Sequence, residues 1–327
     1  MDLEVIKKES HYTVEKIGEA TLRRTYVGTP SPNCLSNRYF KYYNAYKLLL
    51  GLQQDWHPQR NLTCPKFQMS LRNRLNPHCH AKPLLGIFSI EQIQKFILQF
   101  PRVHSIHEEY DGKAIIELDY VPGFSLEKKN ISGLTLDTKC EIVFHIAAQL
   151  KILHSFQLYH SDVKPHNIIW NPDARTATLI DFDFLDFFGP KKLDQETKIK
   201  GSPNYLCPEV LKNQVLDEER DAIDLYAFAV FIFVLFTEDD PYGIRNPTEL
   251  YKIIKLRTPH LERLRTILAP DFPEFVNLDS YYAITDLFHT HASPLLSMFV
   301  AVLELFHRSQ PSKRRLGLDR ILETNRV

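Results

Sequence analysis

Near its start the chain alternates apolar or aromatic residues with polar ones over short stretches; further on the apolar positions settle into helical spacing. Tyr12–Ile17, Arg24–Val27 and Arg38–Tyr43 carry β-branched and aromatic residues and predict three strands. Pro30-Ser31-Pro32-Asn33 makes the second of their connections. Ala45–Gln54 predicts a helix, and residues 55–86 are irregular and rich in Asn, Pro and His. Ser89–Gln99 reads as a helix with Ser89 as N-cap, Gln92 three residues on, and Ile90, Ile93, Phe96 and Ile97 on one face. Lys113–Val121 predicts a strand, and Pro122-Gly123 breaks the chain there, which sets a boundary between residues 1–121 and 122–327. Beyond it, Thr138–Phe156 predicts a long amphipathic helix, Asn167–Trp170 and Thr178–Asp181 two short strands, and the chain from Glu219 onward is mostly helical. A strand-rich first part followed by a helix-rich second part is an α+β pattern. The longest apolar stretch, Leu225–Phe236, falls short of the roughly 20 residues that span a bilayer and reads as a helix buried in a large domain.

Charge and cysteine content narrow the function classes. Lys+Arg and Asp+Glu both total 40, so no global field favours nucleic acid or an anionic membrane. A hydrophobic share of 44% excludes a disordered chain. Met1 to Lys8 lacks the apolar core of a signal peptide. Cys34, Cys64, Cys79, Cys140 and Cys207 are odd in number and scattered, which reads as free thiols in a reducing compartment, so a cytoplasmic location is expected. Only 11 of 327 residues are glycine, about half the usual share of ~7%. That scarcity argues against a Gly-rich dinucleotide fold and, on its face, against a glycine loop cradling phosphate.

The chemistry concentrates in His160-Ser161-Asp162-Val163-Lys164-Pro165-His166-Asn167, followed by Leu179-Ile180-Asp181-Phe182-Asp183. Phosphoryl transfer from a nucleotide needs a carboxylate to orient the attacking hydroxyl and accept its proton, a cation near the transferred group, and oxygen ligands for Mg²⁺. One short loop offers Asp162, Lys164 and Asn167, and a strand end offers Asp181. Singly, each has a plainer role, since Asp caps turns and Asn forms them. The joint spacing sets the group apart.

At these residues the chain resembles the eukaryotic-type Ser/Thr protein kinase family, whose catalytic loop reads H-R-D-L-K-P-x-N and whose metal loop reads D-F-G. The resemblance implies a two-lobed α+β fold with a small β-rich lobe (residues 1–121, with an insertion near 55–86) and a larger helical lobe (residues 122–327). It implies ATP and Mg²⁺ as cofactors and a protein as substrate. Asp162 then matches the catalytic base, Lys164 the cation on the transferred phosphate, and Asn167 and Asp181 the metal ligands. Gly201-Ser202-Pro203-Asn204-Tyr205-Leu206-Cys207-Pro208-Glu209 resembles the substrate-docking segment ending in A-P-E, with Ser202 at the position associated with Ser/Thr selectivity. Asp221 and Asp224 resemble the start of the buried helix that anchors the catalytic loop, and Arg314 resembles the late arginine that pairs with Glu209.

In the first lobe, Lys16-Ile17-Gly18-Glu19-Ala20-Thr21-Leu22-Arg23 is similar to the family's phosphate loop, with Gly18 kept and Ala20 and Arg23 at the other two glycine positions. Lys41 stands where the family has its phosphate-binding lysine, with Lys47 as an alternative. Glu91 is the matching glutamate, at a longer separation than usual. Leu118, Asp119 and Val121 resemble the segment that guards and hydrogen-bonds adenine.

Two departures bear on function. Ser161 replaces the arginine that grips an activation-loop phosphate, so constitutive activity or control by a partner is expected, and the 55–86 insertion is a candidate surface for one. Asp183 replaces the glycine of D-F-G, a feature shared with small-molecule kinases of the aminoglycoside and choline type, although Lys164 and the docking segment favour a protein substrate. A pseudokinase-type binding module is the other alternative, opposed by the presence of every metal and hydroxyl ligand. His57, Cys64, His78, Cys79 and His80 match no strong zinc spacing. Lys313, Arg315 and Arg320 read as a solvated helix face rather than a basic patch. The missing glycines are partly identifiable at Ala20, Arg23, Asp183 and Ala229, so the low count is compatible with the kinase resemblance.

Overall fold

The computed structural model describes residues 12–16, 21–27, 100–101, 103–108, 113–155, 158–187, 202–211, 220–242, 259–271, 293–307 and 313–324. The chain divides into two units, and each is assembled from separate segments. The first comprises residues 1–125, 152–160 and 169–189, the second residues 126–151, 161–168 and 190–327.

The first unit is built on an antiparallel sheet of β1 (Tyr12–Lys16), β2 (Thr21–Val27), β3 (Val103–Glu108) and β4 (Lys113–Asp119), ordered β1-β2-β4-β3. β2 begins earlier than the composition suggests, because its register with β4 runs unbroken from Thr21 opposite Asp119 to Val27 opposite Lys113. Arg23 therefore lies inside a strand and not in the preceding loop. β3 was not legible in the sequence: its two histidines and serine interrupt the apolar pattern, and a bulge between Val103 and Ser105 breaks the period further. β4 stops at Asp119, two residues before the expected end, ahead of Pro122. The expected strand at Arg38–Tyr43, the helices at Ala45–Gln54 and Ser89–Gln99, and the His/Cys cluster of the insertion lie outside the described residues.

After β4 the chain forms β5 (Phe124–Ser125), which pairs with β7 (Ile168–Asn171), itself beside β8 (Thr176–Leu179). Asn171 Oδ1 accepts from the backbone N–H of Asp173 and Ala174, an Asx turn that closes the β7–β8 hairpin. β6 (Leu158–Tyr159) pairs with β9 (Asp186–Phe187). Gly123 makes this route possible. Its φ is +125°, and a Cβ there would stand 2.2 Å from the carbonyl oxygen of Trp170.

The second unit is helical. α1 (Lys128–Ile131) precedes α2 (Leu136–Ser155), whose last four residues belong to the first unit. α2 starts before the expected Thr138 because Thr135 acts as its cap, its hydroxyl accepting from the Thr138 N–H at 3.2 Å. α3 (Pro208–Leu211) leads to α4 (Asp221–Thr237), α5 (Glu262–Leu268), α6 (Pro294–Leu305) and α7 (Arg314–Thr324). α4 is apolar on every side and buried along its length, as expected of a helix with neighbours all round. Among the described residues no helix is long and apolar enough to cross a membrane. α6 opens on Ser293, whose hydroxyl accepts from Leu296 N–H, with Pro294 at its first position. It packs closely on α7 at Gly317, where a Cβ would lie 2.5 Å from Ala301 O.

Both glycines are sites of measurable strain if given a side chain. Gly123→Ala and Gly317→Ala should each lower stability by roughly 1–3 kcal/mol, seen as a reduced denaturation midpoint at unchanged m-value.

Candidate active site

The segment after β6 is held at both of its ends. In the first unit, His160 is fully buried, its Nε2 lies 3.0 Å from Ile180 O, and its ring meets the edge of Phe182 at 5.1 Å. Phe182 in turn meets Phe100 at 5.7 Å. In the second unit, Ser161 takes a left-handed conformation with φ of 64° and donates its N–H to Asp224 Oδ1 at 2.7 Å. Asp224 sits in the first turn of α4 with no exposed surface. A carboxylate buried there needs donors, and the strained backbone of Ser161 is one of them.

The next residue, Asp162, is buried, and its two oxygens are held by four donors. Ser202 gives Oδ1 both its N–H and its hydroxyl, each at 2.9 Å. Oδ2 receives Asn167 Nδ2 at 3.0 Å and the Lys164 ammonium at 2.8 Å. Lys164 Nζ also donates to Ser202 Oγ at 2.9 Å, closing a ring of three side chains. Asn167 Nδ2 reaches the backbone oxygen of Asp162 as well, at 3.0 Å. Pro165 starts a single 3₁₀ turn, Pro165–Asn167, whose fixed φ swings Asn167 back under Asp162. Asn167 was expected to open a strand; it closes this turn instead, and β7 begins at Ile168.

Of the residues singled out in the sequence, Asp162, Lys164, Asn167 and Ser202 thus form one hydrogen-bonded cluster inside the second unit. Asp181 belongs to the first unit, where it follows β8 with φ of 67° and precedes the 3₁₀ turn Phe182–Phe184. Asp183, in place of the usual glycine, is buried. Leu118 and Asp119 end β4 and are half-buried, as is Val121 beyond them. Gly18, Lys41 and Glu91 lie outside the described residues. Both side-chain hydrogen bonds of Asn167 run through Nδ2, so its amide oxygen is the atom of this cluster suited to a hard cation.

In the same unit Arg314 is completely buried at the start of α7. Its Nη2 meets Glu209 Oε1 at 2.9 Å, the pair expected from the sequence. Nη1 donates to Ala222 O at 2.9 Å and Nε to His307 O at 2.8 Å, and the guanidinium stands 5.0 Å over the Tyr226 ring. The hydroxyls of Tyr226 and Tyr242 hydrogen-bond each other. Arg315 and Arg320 are partly exposed, in keeping with the solvated face read from the sequence, but each is also ion-paired. Arg315 pairs with Asp221 through two nitrogens, and Arg320 takes both oxygens of Glu304, at 2.8 and 3.1 Å. Charge spacing alone gave no sign of these partners, which lie on α4 and α6. Burial, with the nearby Asp240 and Asp162 carboxylates, pushes the Tyr205 phenol above its ordinary range. Burial and Glu209 push the Cys207 thiol up to about 12, against the pull of Arg314.

The protein kinase domain family matches residues 92–323, and the chain belongs to that family. Among curated relatives, the serine/threonine-protein kinase PknF of Mycobacterium tuberculosis is 30% identical over 196 residues, covering 57% of this chain and 39% of that protein. The serine/threonine-protein kinase PknH of Mycobacterium bovis is 34% identical over 149 residues, covering 44% and 24%. CBL-interacting protein kinase 9 of Oryza sativa subsp. japonica is 30% identical over 185 residues, covering 52% and 40%. The matched regions therefore span less than half the length of these relatives. The fold is that of the Cydia pomonella granulovirus kinase PK-1, with a TM-score of 0.52, 14% identity and coverage of 98% of this chain and 91% of that one.

Two outcomes test the geometry. Arg314→Lys keeps the charge but loses the fork, and should destabilise the chain by roughly 1–3 kcal/mol in denaturant titration because one ammonium cannot serve Glu209, Ala222 O and His307 O together. Iodoacetamide at pH 8 should leave Cys207 unmodified in the native chain and modify it in denaturant, read by peptide mass spectrometry, because the folded thiol carries almost no thiolate.

Proposed function

We propose that the chain transfers the terminal phosphoryl group of ATP to Ser/Thr hydroxyls of protein substrates. The observation that carries this reading is the Asp162–Lys164–Ser202 ring, with Asn167 Nδ2 adding a second donor to Oδ2. A carboxylate held by four donors cannot rotate, so an incoming hydroxyl meets an acceptor already oriented for its proton. Asp162 is the base in this reading, and Lys164 places a positive charge beside the same hydroxyl. Asn167 and Asp181 would hold Mg²⁺, which supplies neutralisation of phosphate charge when bound. Leu118, Asp119 and Val121 border adenine. Gly18, Lys41 and Glu91 complete the nucleotide site on the strength of the family resemblance.

A protein substrate is favoured over a small molecule because Ser202, in the segment leading to Glu209, is wired directly into the base. The Ser/Thr-protein kinases among the curated relatives support the same choice. Ser161 in place of arginine gives no guanidinium to an activation-loop phosphate, so activity does not wait on one.

The test is transfer of radiolabelled phosphate from Mg²⁺-ATP to generic protein substrates. Asp162→Ala should lower kcat by about 10²–10⁴-fold with a folded, nucleotide-binding chain. Transfer at the unaltered rate would remove Asp162 from the mechanism. Binding of Mg²⁺-ATP without transfer to any protein would favour a binding module.

A further inference from the structure

We propose that Ser202 is itself a phosphoryl acceptor, modified within its own chain, and that the modification shuts the site. The inference rests on the phosphoryl-transfer reading above. The hydroxyl of Ser202 is placed as an acceptor would be: it donates to Asp162 Oδ1 at 2.9 Å and receives Lys164 Nζ at 2.9 Å. A serine oxygen has two lone pairs, and the ammonium occupies one, leaving the second for attack. The segment is not sealed in the interior. Ser202 is half-buried and the two residues after it, Pro203 and Asn204, are exposed. Nor is the segment fixed by a long element, since Pro203–Tyr205 is a single 3₁₀ turn.

The step balances with a nucleoside triphosphate as the only co-reactant. Ser202 Oγ forms a bond to the γ-phosphorus while the bond from that phosphorus to the bridging oxygen breaks. The bridging oxygen keeps the electron pair and leaves as part of the nucleoside diphosphate. The hydroxyl proton passes to Asp162 along the hydrogen bond already present.

The product is incompatible with the resting network. Phosphoserine carries about −1.5 to −2 charges at neutral pH and would stand against Asp162, with the Lys164 ammonium bonded to both. Both hydrogen bonds that Ser202 now gives to Asp162 Oδ1 would be strained or lost, and the base would lose the orientation on which transfer depends. The modification is thus the reverse of an activating phosphate. It spends one turnover on the chain's own loop and leaves the carboxylate facing a dianion.

The experiment incubates the intact chain with Mg²⁺-ATP across a dilution series. Ser202 phosphate is followed by peptide mass spectrometry and transfer to a protein substrate by radiolabel in parallel. Phosphate should accumulate at Ser202 with a rate constant independent of chain concentration. Substrate transfer should fall in step, by about a hundredfold at full occupancy, the scale expected when a general base is lost. Removal of the phosphate by a phosphatase should restore transfer. Ser202→Ala should show no progressive decay from its own starting rate. Substrate transfer with Ser202 unmodified would overturn the proposal and leave the kinase reading standing. Absence of both transfers would overturn both. A rate that rises with chain concentration, or transfer that increases as Ser202 is modified, would also overturn it.

Discussion

A guanidinium removed entirely from water costs several kcal/mol unless every donor is satisfied, and Arg314 has no exposed surface. Its three nitrogens reach a side chain in α3, a carbonyl in the first turn of α4 and a carbonyl after α6. Segments more than 90 residues apart in sequence are therefore held to one another by a single ion that cannot tolerate losing any of them. Arg315 repeats the grip one residue later through Asp221. The start of α4 is thereby fixed, and Asp224, in that same turn, fixes Ser161. The setting of Asp162 is inherited from a buried charge at the far end of the chain.

The cluster at Asp162 shows what that rigidity is for. Its oxygens are occupied by one lysine, one asparagine and two groups of one serine. A carboxylate with this many partners keeps one orientation whether or not a substrate is present, and little rearrangement is left for the moment of reaction. Lys164 and Ser202 bond to each other as well as to the acid, so displacement of either hydroxyl or ammonium is felt by all three.

Much of this was legible before any coordinates. D-x-K-x-x-N names the cluster, the apolar run Leu225–Phe236 names the buried helix, and Pro208-Glu209 with Arg314 names the ion pair. The first two were readable because they depend on residue type at a fixed short spacing or on sustained apolar content; the third, 105 residues apart, was implied only by the resemblance to the kinase family. The arginine partners on α4 and α6 were not legible, because an ion pair between distant elements leaves no local pattern. β3 was hidden for a related reason: its pairing with β4, and not its own composition, makes it a strand. The shift of Asn167 from strand to turn follows from Pro165, whose ring sets the backbone before the strand can begin.

The left-handed backbone positions among the described residues bear on the unfolded chain as much as on the folded one. Ser161, Arg175, Asp181 and Glu238 hold positive φ with a side chain in place, and only Gly123 does so as glycine. Each such residue costs the folded state roughly 1–2 kcal/mol of local strain. It also leaves the denatured ensemble fewer conformations to lose, by about 0.4–1 kcal/mol relative to glycine. A chain this poor in glycine therefore begins folding from a stiffer ensemble. Part of the strain at Ser161 and Asp181 is met by entropy that was never there to be surrendered.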